Sequence, residues 1–148
     1  MKKILIIIIF LLSSCGYEPL LVNKTNLNLV FNEVNLNGNK QINRKIISSL
    51  NIKKNSNKSL TNLFLESKRM VIETSKDSKG RVNTYKMIIN LRYVIEDNSE
   101  IIAERVFEES FIYNNKDNKS DLIQYQKEIE ENLTDKIIEE LIVYASLL

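Results

Sequence analysis

The chain has 148 residues, a length that suits one modest domain, with 21 basic and 19 acidic residues, one cysteine and neither histidine nor tryptophan. The missing histidine excludes imidazole metal sites and histidine-dependent triads. The single cysteine excludes an internal disulfide, and three glycines leave no phosphate-cradling loop.

Met1-Lys2-Lys3 is followed by an unbroken apolar run from Ile4 to Leu12 and then by Ser13-Ser14-Cys15. A basic start, a short apolar core and a small-residue exit are the parts of a secretory signal. The run is too short to cross a bilayer as a helix, which takes about 20 residues. With cysteine at the cleavage point, Leu12-Ser13-Ser14-Cys15 resembles the lipobox of bacterial lipoproteins, whose thiol receives a diacylglycerol; an ordinary signal peptide with a chance cysteine is the alternative. The expected organisation is a signal over 1–14, a lipidated tether over 15–26 and one domain over 27–148. Without Lys2 and Lys3 the basic count falls from 21 to 19 and equals the acidic count. That balance argues against an electrostatic nucleic-acid binder. Gly16, where an aspartate would favour inner-membrane retention, leans toward the outer membrane, and Pro19 suits a short extended tether.

From Leu27 to Leu36 the apolar residues alternate, with Leu27, Leu29 and Phe31 on one parity and Val34 and Leu36 on the other. This predicts a strand with a phase slip near Glu33. Asn37-Gly38-Asn39 breaks the run and suits a helix cap. Ile42, Ile46 and Leu50 then predict a helix over 39–51. A polar loop at 55–59 precedes a strand over 61–74, and Asp77-Ser78-Lys79-Gly80 has turn composition. The cleanest strand follows, with Tyr85, Met87, Ile89, Leu91, Tyr93 and Ile95 on one face and Lys86, Asn90 and Arg92 on the other. Such alternation marks a sheet covered by helices on one side only. Asp97-Asn98-Ser99 predicts a hairpin turn into a partner strand over 101–113, whose parity is unclear. Ser120 or Asp117 can cap a final helix with its apolar stripe at Leu122, Tyr125, Ile129, Leu133, Ile137, Leu141, Tyr144 and Leu148. The fold class is therefore α+β: a two-layer β-α-β-β-β-α sandwich with two helices on one face of a four-stranded mixed sheet.

The acidic residues are better explained as solvated faces than as a catalytic carboxylate pair, and the Asn-X-Ser/Thr matches as chance in an asparagine-rich chain. The tyrosines suit core positions with a hydroxyl at the edge. The sharper candidate is the less apolar face of the central strand. Lys86 and Arg92, with Arg105 if it lies on the same side, would present cations among apolar groups. That arrangement suits an amphiphile with anionic head groups, because arginine pairs phosphate bidentately. A plain solvated sheet face is the alternative.

The lipobox, the Cys15-Gly16-Tyr17-Glu18-Pro19-Leu20 start and the β-α-β-β-β-α order resemble the lipopolysaccharide-assembly lipoproteins of the LptE family. Tyr85 to Asn114 is similar to that family's central hairpin, and the terminal helix ending in Leu147-Leu148 also fits. Glu18 and the asparagine-rich loops depart from the pattern. The resemblance implies an outer-membrane lipoprotein without enzymatic activity or cofactor. Its partners would be lipopolysaccharide and the large β-barrel that inserts it, which such a protein plugs and helps assemble. No family binding residue maps onto a position here. A rival reading is an auxiliary lipoprotein of lipid transport working with an inner-membrane transporter. A cell-wall enzyme or its activator is a third, with nothing in the residues to predict it.

Overall fold

The computed structural model describes residues 28–55, 57 and 59–148. The signal, the lipobox residues Leu12, Ser13, Ser14 and Cys15, and the tether lie outside the described residues. The elements are β1 (Val30–Phe31), β2 (Glu33–Gly38), α1 (Lys40–Ser49), β3 (Lys53–Lys54), β4 (Thr61–Lys76), β5 (Val82–Asp97), β6 (Glu100–Asn114) and α2 (Lys119–Ala145). The expected α+β arrangement is present: α1 and α2 back a four-stranded sheet of order β2-β4-β5-β6. The sheet is mixed, because β2 runs parallel to β4 while β4, β5 and β6 are antiparallel.

The anticipated phase slip is a break at Asn32. It splits the first strand, and β1 leaves the main sheet to pair with β3, a two-residue strand that periodicity could not reveal. At the end of β2 the chain turns sharply into α1. Gly38 has φ +86, and a Cβ there would stand 1.8 Å from the carbonyl oxygen of Ser67. Only glycine tolerates both the left-handed backbone and that approach. Asn39 then caps α1, its side-chain oxygen accepting from the backbone N–H of Gln41 at 2.9 Å and Ile42 at 3.2 Å. The second helix is capped by Asn118, which accepts from Ser120 N–H at 2.9 Å, and not by Ser120 or Asp117.

The core lies between the helices and one sheet face. Ile42 and Ile46 of α1 and Leu50 just beyond it meet Leu63 and Leu65 of β4 and Met87, Ile89, Leu91 and Tyr93 of β5. Phe107 and Tyr113 of β6 and Ile129, Leu133, Ile137 and Leu141 of α2 complete it. Leu148, at the end of the expected stripe, is exposed. Polar links join the layers. Lys45 Nζ lies 2.7 Å from Asp135 Oδ1, tying α1 to α2, and Arg69 Nε lies 2.6 Å from Glu130 Oε2, tying β4 to α2. The direction of α2 follows from its aromatic contacts: Tyr125 meets Tyr113 at 5.9 Å and Tyr144 meets Tyr93 at 6.0 Å between ring centroids. Among the described residues no helix is long and apolar enough to cross a membrane.

The β5–β6 hairpin closes through Asn98 and Ser99, both with positive φ (47° and 69°), as a two-residue primed turn requires. Asp97 pairs with Glu100 and Glu96 with Ile101, but Ile95 pairs with Ala103. One extra residue is therefore inserted in β6 next to the turn, and this bulge sets the facing of every later residue in the strand.

Candidate functional site

The face of the sheet turned away from the helices carries the sequence-predicted cations Lys86 and Arg92. Registers across β4, β5 and β6 order it into rows: Phe64–Val94–Glu104, Glu66–Arg92–Val106, Lys68–Asn90–Glu108, Met70–Ile88–Ser110 and Ile72–Lys86–Ile112. Directly opposed residues in a ladder share a face, so these side chains lie on one face that no described helix covers; Val94 is buried on it, while Glu66, Ile72, Arg92, Val106 and Ile112 are exposed.

Arg105 is not on it. Opposite Tyr93, it belongs to the helix side, where its guanidinium lies 5.2 Å from the centroid of Phe107 and 5.0 Å from that of Tyr144. The expectation that it shares a face with Arg92 is corrected by the bulge. Arg92 is itself engaged: its Nε donates to Glu104 Oε1 at 2.7 Å, and Glu66 stands across the ladder. A hollow of about 230 Å³ beside it is lined by Phe64, Glu66, Val94, Asn35 and Asn37 among others. The cations Lys68, Lys86 and Arg92 are thus interleaved with Glu66, Glu96, Glu104 and Glu108, and the face has no cationic excess.

Lys86 has different neighbours. Across the two ladders it is flanked by Ile72 and Ile112, 47% and 60% exposed, with Ile88 two positions along on the same face and Met70 beside that. An ammonium set in an aliphatic frame can meet an anionic head group while the surrounding side chains meet the chain attached to it. Sequence reading found Lys86 but missed Ile72 and Ile112. The signal was the hairpin register, which becomes countable once the bulge is known.

On the helix side, Tyr93 is fully buried and its hydroxyl has no hydrogen-bond partner among the described residues. Burial, reinforced by the neighbouring Tyr144, pushes its pKa up to about 12. Tyr113 is also raised, mainly by burial, although its hydroxyl accepts from Gln126 Nε2 at 2.8 Å. These are core aromatics with no reacting partner, and among the described residues no group of His, Cys, Asp or Glu could hold a metal ion.

No protein-family model matches the sequence, and no curated protein matches it. Solved structures do. The fold is similar to rare lipoprotein B from Shewanella oneidensis, with a TM-score of 0.60 at 12% identity, covering 78% of this chain and 94% of that one. It is similar to lipoprotein B from Nitrosomonas europaea, with a TM-score of 0.58 at 13% identity over 76% and 81% of the two chains. A minor lipoprotein from Acinetobacter baumannii gives a TM-score of 0.53 at 14% identity over 76% and 89%. At such identities the likeness speaks for architecture alone: the chain shares its helix-backed mixed sheet with bacterial lipoproteins.

Proposed function

We propose that this chain is a lipid-anchored outer-membrane accessory protein, not an enzyme, that partners and plugs a lipopolysaccharide-inserting β-barrel and assists its assembly. The observation that carries the reading is the lipoprotein-like fold standing behind a Leu12-Ser13-Ser14-Cys15 exit. Cys15 is the acylated residue. Each buried methylene contributes about 0.8 kcal/mol, and one acyl chain alone holds only reversibly, so two or more keep the domain at the membrane. Cys15→Ala then releases the protein from its membrane with the fold intact. On the domain, Lys86 in its frame of Ile72, Ile88 and Ile112 is the position suited to the anionic head of lipopolysaccharide. Arg92, held by Glu104, supports that face, and Arg105, on the other side of the sheet, is set aside as a contact.

The test is pull-down of the acylated protein from membranes in several mild detergents. Recovery of a large β-barrel subunit supports the proposal. Consistent failure overturns it, and recovery of an inner-membrane transporter replaces it with the lipid-transport reading.

A further inference from the structure

β6 ends the sheet. Its fifteen residues, Glu100–Asn114, contain no proline and, among the described residues, pair with β5 on one side only. Natural sheets shorten, bulge or cover such edges, because a long exposed strand is a template for pairing. Here the single bulge lies at the turn end, and Ala103 to Asn114 run without interruption. Ile101, Ile102, Val106, Phe111 and Ile112 are all about half exposed or more (47–60%). The edge strand therefore holds an unusual share of the exposed large apolar side chains.

The strand is complementary to itself. Two copies related by a twofold axis perpendicular to the sheet pair antiparallel, and opposed residues must share a face, which leaves only registers centred on a residue. Centred on Phe107, the pairing sets Arg105 against Glu109 of the second copy, and Glu109 against its Arg105, both on the helix side. Ala103 then meets Phe111, so the smallest residue of the edge lies opposite its exposed ring, and Ile102 meets Ile112 on the bare face. The neighbouring registers are disfavoured by charge. Centred on Val106, Glu104 opposes Glu108 twice. Centred on Glu108, that carboxylate opposes itself. Like charges directly opposed destabilise a ladder, and opposite ones stabilise it. A groove of about 550 Å³ between α2 and the edge, lined by Phe111, Tyr125, Ile129, Leu133 and Lys136 among others, leaves room beside the ring of Phe111.

We propose that β6 is a self-pairing edge through which two copies of this chain join their sheets, in the register centred on Phe107 with reciprocal Arg105–Glu109 contacts. This does not rest on the proposed role at the barrel, and it stands or falls separately.

The experiment measures the mass of the acylated full chain in mild detergent by sedimentation equilibrium, alone and as variants. The wild type is expected to dimerise. Arg105→Glu and Glu109→Arg each place like charges at both ends of the seam and weaken dimerisation by about tenfold or more. An equimolar mixture of the two single variants regains the dimer as a heterodimer, and the double variant regains it alone. Rescue distinguishes the seam from damage to the fold, since Arg105 also lies over Phe107 and Tyr144 and Glu109 lies 3.9 Å from Lys136. A monomeric wild type, single variants that dimerise like the wild type, or failure of both rescues each overturns the proposal.

Discussion

Arg105 of β6 stands directly across the ladder from Tyr93 of β5, and Tyr144 of α2 lies against both. The hydroxyl of Tyr93 is buried with no hydrogen-bond partner among the described residues. That hydroxyl has a cost with no compensating bond.

Tyr93→Phe is therefore expected to leave stability at neutral pH unchanged or slightly raised. Its signature lies in alkali. The folded pKa, about 12, is above the ordinary value of 10.0, so the wild type holds its full stability below pH 10 and loses it as pH rises toward 12, where unfolding releases a proton. A shift of this size corresponds to roughly 2–3 kcal/mol. Urea unfolding at pH 8 and at pH 11 should show a smaller alkaline loss in the variant; equal losses would refute the assignment. Tyr113 contributes to any loss that remains.

Gly38→Ala combines a positive φ with a Cβ 1.8 Å from a backbone oxygen, and the atom it meets cannot swing away. The corner between β2 and α1 must open, at a cost of about 2 kcal/mol or more. Gly80→Ala is the control: its φ is +78, but a Cβ there meets nothing within 4 Å, so it should cost less. Urea midpoints of the two variants decide the ordering.

The proposed lipopolysaccharide role predicts that Lys86→Gln weakens binding of that lipid by about tenfold, the worth of one charge-assisted contact. Arg92→Gln should have a smaller effect, because Glu104 already occupies that guanidinium. Titration with labelled lipopolysaccharide measures both, and the opposite order would move the site to Arg92.

Much of the architecture is legible in the residues because periodicity records burial. Met87, Ile89, Leu91 and Tyr93 alternate, and all four are buried; Ile42 and Ile46 step by four and share the buried side of α1. The cap at Asn39 is legible for the same local reason. Facing on β6 is not. A two-residue turn at Asn98-Ser99 without a bulge would oppose Arg92 to Arg105 and gather the cations on one side. The inserted residue next to the turn moves every partner by one position, and side chains change face with each step. Its cause lies in the pairing of two strands, which neither strand's own pattern contains. The same limit hid β3, whose two lysines form a strand only because β1 lies beside them.

β2 accompanies only Asn62–Ser67 of the sixteen-residue β4, so the sheet is four strands wide near the β5–β6 turn and three wide toward Asp77–Arg81. At the wide end α1 and α2 both seal the core; beyond Ser67, β4 loses its outer neighbour, and Val71, Ile72, Glu73 and Thr74 are exposed. Local opening is cheapest where apolar contacts are fewest. In hydrogen exchange, deuterium should therefore enter the amides of Val71–Lys76 well before those of Leu63–Ser67.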